Sequence, residues 1–246
     1  MKAVILAAGE GTRLNKGWTI VPKPLLEVGS KTIIEHAISS LKEAGIKDFL
    51  IVTGFMSEHI KDYLRDGFEL GVNIEYVYNK DYKSSLLNSL RLVKEKVEGS
   101  FVLCMADLFF PGSIVKDLVH NSTSYHNYVC VDKKLSKIRR IEEKYKVQTM
   151  NDNILQVSHV LPTYNAIDCG IYLMQDSIFP IMENCLEQGK NSLPLIITEL
   201  AIQGKFRAHD IGDSEVIDID REKDVEYIQN EVLRNANKER SSDWRQ

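Results

Sequence analysis

The chain has 246 residues, 43% of them hydrophobic and 27% charged, an ordinary mixture for a globular protein and long enough for one large α/β domain. A net charge of −4 argues against a general nucleic-acid binder, which carries a basic face, yet a few cations focused in one cleft can still hold a triphosphate. Cys104, Cys130, Cys169 and Cys185 form no C-x-x-C pair, and no apolar run approaches the roughly 20 residues of a membrane helix, so a disulfide or zinc scaffold and a membrane span are both disfavoured and a reducing cytoplasm is expected.

In chain order, Ala3–Ala8 is a short apolar run that breaks at Gly9-Glu10-Gly11, too early for a signal peptide, and it reads as a buried strand. Phe49–Thr53, Ile74–Tyr78 and Phe101–Met105 read the same way. Between them Thr32–Ala44, Ser57–Arg65 and Leu86–Val97 space apolar residues by three and four, as helices do. Beyond Asp107 the rhythm changes. A helix at Ser113–His120, capped by Ser113, leads to a strand near Tyr128–Asp132, and Lys146–Thr149 with Ile154–Val157 reads as a hairpin around Asn151-Asp152-Asn153. A strand at Ala166–Met174, helices at Ser177–Glu187 and Leu193–Gln203, a strand at Phe206–Ile211, the extended segment Val216–Asp220 and a helix from about Lys223 complete the reading. The pattern predicts an α/β, Rossmann-like three-layer fold with a mostly parallel mixed sheet. The expected organisation is one domain over residues 1–234 and a polar tail over 235–246.

The segment with most chemistry follows the first strand: Leu6-Ala7-Ala8-Gly9-Glu10-Gly11-Thr12-Arg13-Leu14. Small residues let backbone N–H groups cradle phosphate oxygens, and Arg13 adds a permanently charged fork. A dinucleotide fingerprint needs glycine where Leu14 stands, and Gly29-Ser30-Lys31-Thr32 has the wrong order for a P-loop. A plain turn with a surface arginine is weakened by Val21-Pro22-Lys23-Pro24-Leu25-Leu26, in which two prolines fix the backbone around Lys23 and hold it extended, aiming one ammonium at a triphosphate. Asp107 ends the strand Phe101–Met105, and ligands of open parallel sheets sit at carboxyl ends of strands. In Val216-Ile217-Asp218-Ile219-Asp220, alternation places Asp218 and Asp220 on one side.

L-A-A-G-x-G-T-R-L followed by P-K-P-L resembles the signature of the sugar-nucleotide pyrophosphorylases and their relatives, the NTP-transferase family, and the resemblance continues to about Glu231. It implies that Leu6 to Arg13, Lys23, Ser85 and Ser89 bind the nucleotide, and that Arg13, Lys23 and Asp107 carry the catalysis. Asp107 and the aspartates Asp218 and Asp220 would hold Mg²⁺; this ion often takes only one or two carboxylates with phosphates and waters, so Asp107 with Asp220 suffices. Asp168, in Ile167-Asp168-Cys169-Gly170, and Lys146 match acceptor-side positions, and Lys133 is a further cation able to close over phosphates.

The closing D-x-D segment and the D-C-G strand resemble most the cytidylyltransferases that activate alcohol phosphates. The implied partners are CTP and a small phosphorylated acceptor, inositol 1-phosphate ahead of phosphocholine, with no nucleic acid and a possible homo-oligomer. A uridylyl- or thymidylyltransferase for a hexose 1-phosphate, and a non-catalytic nucleotide-binding subunit, are the alternatives. Two departures bear on base and acceptor: Ser84–Ser89 replaces an Asn- or Gly-bearing stretch, and His159 stands where an acceptor-side lysine is common.

Overall fold

The structure, a computed structural model, describes residues 1–11 and 21–233. Thr12, Arg13 and Leu14 of the glycine-rich segment and the tail expected at 235–246 lie outside the described residues. Chain order begins β1 (Lys2–Ala7), β2 (Glu27–Val28), β3 (Lys31–Thr32), α1 (Ile33–Glu43), β4 (Asp48–Thr53), α2 (Ser57–Leu64), β5 (Asn73–Tyr78), α3 (Leu86–Arg91), β6 (Ser100–Met105), β7 (Leu108–Phe109) and α4 (Gly112–Asn121). It continues β8 (Asn127–Asp132), β9 (Lys146–Met150), β10 (Asn153–Ser158), β11 (Ala166–Gln175), α5 (Ile178–Glu187), α6 (Leu193–Ile202), β12 (Phe206–Asp210), β13 (Ile217–Asp218) and α7 (Glu222–Tyr227).

Nine of these strands form one sheet in the order β5-β4-β1-β6-β11-β8-β12-β10-β9. β5, β4, β1 and β6 are parallel, and β8 and β12 run parallel to each other, so the sheet is mostly parallel with β11 and β10 reversed. β9 pairs with β10 and, at Ala166 and Ile167, with β11, which curls the distal strands back on the sheet. The residues that flank β9 and β10, Tyr145 and His159, line one of the clefts described below.

Alternation along β1 fixes the three layers. Ala3, Ile5 and Ala7 share one core layer with Ile34, Ile38 and Leu41 of α1 and Val115 of α4, while Val4 belongs to the opposite layer, which holds Leu87 and Leu90 of α3 and extends to Ile196 and Ile197 of α6. Both faces are covered, which is why the parallel strands read as unbroken apolar runs.

Two local expectations change. The helix expected over Leu86–Val97 ends at Arg91 and gives way to a 3-10 turn at Lys94–Lys96, because Leu87, Leu90 and Val93 are buried but the following charged residues have nothing apolar to cover. Ser113 does not cap α4; the helix starts one residue earlier on Pro111, with no side-chain cap bond. Close packing explains the earlier start, since a Cβ on Gly112 would lie 2.6 Å from the Ser40 carbonyl oxygen.

Candidate active site

β1 delivers Ala8, Gly9 and Gly11 to the carboxyl edge of the sheet, where the Ala8 carbonyl accepts the Phe55 N–H at 3.0 Å. Gly11 has φ +57, and a Cβ there would sit 2.4 Å from the Lys23 Cβ, so only glycine lets the loop lie against the lysine. Lys23 itself is a correction. It opens a 3-10 turn, Lys23–Leu25, where an extended residue was expected. The Pro22 carbonyl accepts the Leu25 N–H at 2.8 Å and the Lys23 carbonyl accepts the Leu26 N–H at 3.1 Å, and closing that turn outweighs the pre-proline preference. The lysine is still fixed in direction and is 8% exposed.

Two remote aspartates meet at its ammonium. Lys23 Nζ donates to Asp107 Oδ2 at 2.5 Å and to Asp220 Oδ1 at 2.7 Å. A short ladder makes this possible: β13 pairs with β7, Asp218 opposite Leu108, and the Ile219 N–H donates to the Asp107 carbonyl at 2.9 Å. The D-I-D segment is thereby clipped beside the end of β6. Burial alone would lower the Lys23 pKa, but the charges and hydrogen bonds of Asp107 and Asp220 outweigh it and hold the ammonium above its ordinary range. Asp218 ends on a different cation, the ammonium of Lys144.

Around this point lie two adjoining clefts. One, of about 300 Å³, is lined by Leu6, Ala7, Ala8, Gly9, Gly11, Lys23, Ser85, Ser89 and Asp107 among others. Ser89 is set by Asn79, whose side-chain amide donates to its hydroxyl at 2.9 Å. Glu10 is not part of that wall and pairs with Lys83 at 3.0 Å. The second cleft, of about 350 Å³, is lined by Lys144, Tyr145, His159, Asp168, Tyr172 and Asp218 among others, and shares Ser85, Leu86 and Met105 with the first. Its wall carries a stacked pair, Tyr145 on His159 at 3.7 Å between centroids.

Asp168 enters the second cleft from a bulge of β11 at Gly170, φ +74, where the register with β8 shifts. Its Oδ1 accepts the Gly170 N–H and its Oδ2 the Tyr172 hydroxyl, both at 2.8 Å. Burial raises its pKa to about 6 against those two hydrogen bonds and the Lys144 charge. Lys144 is lowered, first by burial and then by the charge of Arg140.

The lysines expected on the acceptor side are placed elsewhere. Lys146 is buried, its Nζ donates to the Glu142 carbonyl at 3.0 Å, and it lines neither cleft. Lys144, two residues earlier, occupies the wall instead: it closes the 3-10 turn Ile141–Glu143 outside β9, whereas Lys146 is the first residue of the strand. Lys133 pairs with Asp210 at 3.4 Å, also outside both clefts. Sequence reasoning did not single out Arg140 and Asp224, which brace the D-I-D segment; the acid three residues after Arg221, at the start of α7, was the available signal.

The donor set suits a hard divalent cation. Two carboxylate oxygens converge on one point from β6 and β13, both ligands are oxygen, and the adjoining cleft leaves room for phosphate oxygens and water. Among the described residues no group of three or more His, Cys, Asp or Glu is placed to hold a metal ion. Among the same residues no helix is long and apolar enough to cross a membrane.

A small-residue loop at the carboxyl end of the first strand, a fixed lysine facing two aspartates, and a second cleft sharing Ser85, Leu86 and Met105 with the first thus gather at one edge of an α/β sheet. Residues 3–192 match the MobA-like NTP transferase domain, and the chain belongs to that family. It is 28% identical over 235 residues to a bifunctional IPC transferase and DIPP synthase of Aquifex aeolicus, covering 95% of this chain and 52% of the relative. It is 40% identical over 125 residues to a choline-phosphate cytidylyltransferase of Streptococcus pneumoniae, covering 50% of this chain and 52% of that protein. The chain thus spans about half the length of the curated relatives it matches. The solved inositol-1-phosphate CTP transferase of T. maritima shares the fold, with a TM-score of 0.80, 24% identity, and coverage of 94% of this chain and 97% of that one.

Proposed function

We propose that the chain transfers the CMP part of CTP to an alcohol phosphate, inositol 1-phosphate first, and releases pyrophosphate. The observation that carries this reading is a pair of clefts that share Ser85, Leu86 and Met105, one lined by the small-residue loop with Asp107 and Lys23, whose ammonium also holds Asp220, and the other by Lys144 and Asp168. The relative with IPC transferase in its name, aligned over 95% of this chain, supports the choice of base and acceptor.

In the reaction an acceptor phosphate oxygen attacks the α-phosphorus of CTP, and the bond to the leaving pyrophosphate breaks in line. The second pKa of a phosphate monoester is about 6, so the dianion is already present at neutral pH and needs no general base. The barrier lies in bringing two anions together, and positioning with fixed charge supplies most of the catalysis. Backbone groups of Ala7 to Gly11 face the nucleotide, with Ser85 and Ser89 on the opposite wall. Lys23 exchanges its carboxylate partners for triphosphate oxygens, joined there by Arg13. Asp107 and Asp220 would hold Mg²⁺, which when bound would supply charge neutralisation on the reacting phosphates; Asp218 stays with Lys144. Lys144, in place of Lys146, takes the acceptor phosphate, and Asp168 with Tyr172 contacts acceptor hydroxyls.

A second reading, phosphocholine as acceptor, is favoured by the 40% identity to the choline-phosphate cytidylyltransferase. Pyrophosphate release with Mg²⁺, four NTPs and inositol 1-phosphate, phosphocholine or glucose 1-phosphate separates the readings. Turnover with CTP and inositol 1-phosphate is expected. Turnover with phosphocholine alone moves the acceptor, UTP or dTTP with the hexose phosphate moves the base as well, and silence across the grid points to a binding role.

A further inference from the structure

Arg140 has no role in the reaction proposed above, yet it reaches both aspartates of the D-I-D segment. It sits at φ +50, a left-handed conformation that strains any residue with a side chain and persists only where surrounding contacts enforce it. Its side chain is 17% exposed. Nη2 donates to the Asp218 carbonyl at 3.2 Å and to Asp224 Oδ2 at 2.9 Å. That same Oδ2 accepts the Asp220 N–H at 3.0 Å and the Arg221 N–H at 2.9 Å, so one buried carboxylate ties the arginine to the Asp220 backbone.

The other nitrogen of the fork is set differently. Nη1 is buried and makes no hydrogen bond, and it faces Asp220 Oδ2 at 3.8 Å and Glu143 Oε2 at 3.5 Å. Asp220 therefore stands between two cations, Oδ1 on Lys23 and Oδ2 toward Arg140. Asp218, Asp220 and Asp224 crowd into seven residues; Arg139 lies on the far oxygen of Asp224, so Arg140 is the planar cation set between Asp220 and Asp224, where it offsets their mutual repulsion. The segment that carries Arg140 also supplies Lys144 to the acceptor wall.

We propose that Arg140 is a positioning residue that aims the Asp220 carboxylate at the divalent cation, an inference resting on the reading of Asp107 and Asp220 as its ligands. Partners behind a metal-binding carboxylate typically cost about 10- to 100-fold in metal affinity when removed. The test is Mn²⁺ binding to the full chain, followed by electron paramagnetic resonance with and without CTP, for the wild type, Arg140→Met, Arg140→Lys and Asp220→Asn.

Arg140→Met is expected to weaken Mn²⁺ binding about 10- to 100-fold while melting cooperatively, with kcat recovering toward wild type as Mn²⁺ is raised. A residue that merely braces the fold would lower the melting temperature and leave the folded protein's metal affinity alone. Arg140→Lys, whose single ammonium cannot serve both Asp224 and Asp220, is expected to fall between the two, and it decides the matter if the methionine variant does not fold. Wild-type Mn²⁺ affinity in the folded arginine variant, with binding lost in Asp220→Asn, overturns the proposal alone. Wild-type affinity in Asp220→Asn overturns the ligand reading beneath it, and the proposal with it.

Discussion

Replacing Asp168 with asparagine isolates the cost of an ionised carboxylate in the second cleft. Burial lifts this acid from 3.8 to about 6, opposed by the Gly170 N–H, the Tyr172 hydroxyl and the Lys144 charge. Because the folded state holds the proton more tightly than the unfolded chain, the native protein is favoured below the unfolded value and loses that advantage as pH rises through about 6. A shift of about two units corresponds to about 3 kcal/mol in full, of which about 1.4 kcal/mol falls between about pH 5 and about pH 7.5. Asparagine keeps the shape, can accept the Gly170 N–H, can donate to the Tyr172 oxygen, and cannot ionise. Equilibrium urea unfolding of both proteins at the two pH values reads the effect. The wild type should lose about 1.4 kcal/mol more than Asp168→Asn over that interval, and the variant should be the more stable at the higher pH. An equal pH dependence in the two proteins would refute the reasoning.

Lys23→Ala should lower kcat by about 10²- to 10³-fold, the scale of one lost charge-stabilising donor, and a near-normal single-turnover rate would remove Lys23 from the chemistry. Gly11→Ala should cost about 1–3 kcal/mol through a left-handed side-chain residue. It should also lower kcat, because its Cβ would meet the Lys23 Cβ at 2.4 Å; denaturant melts and steady-state rates check both. Phe101 is fully buried and stacked on Phe179 at 5.9 Å, so Phe101→Ala should lose about 3–5 kcal/mol by urea unfolding.

The strands and helices were legible where burial is two-sided or one-sided along a whole element: β1, β4 and β6 as apolar runs, α1 and α2 by their three-and-four spacing. The small-residue loop and P-K-P-L point to one place in space because both are local and packed on each other through Gly11. The meeting of Asp107 with Asp220 depends on the β7–β13 ladder, a pairing of two-residue strands more than a hundred positions apart, which no local pattern announces. The choice between Lys144 and Lys146 hung on where the 3-10 turn Ile141–Glu143 ends and β9 begins, a boundary that the apolar pattern does not mark. Arg140 was hidden for another reason. Its neighbours Lys137, Arg139 and Lys144 make a charge run that reads as a solvated surface, and only tertiary packing turns Arg140 and Arg139 onto Asp224 and Lys144 onto Asp218.

The most direct test of the account follows the α-phosphate. CTP labelled at that position is mixed with the protein, Mg²⁺ and inositol 1-phosphate or phosphocholine, and the products are separated. The account predicts that the label moves into a CDP-linked alcohol with the wild type and stays in CTP with Asp107→Asn. Label released as free CMP, or left in CTP by the wild type with every phosphorylated acceptor, would contradict it.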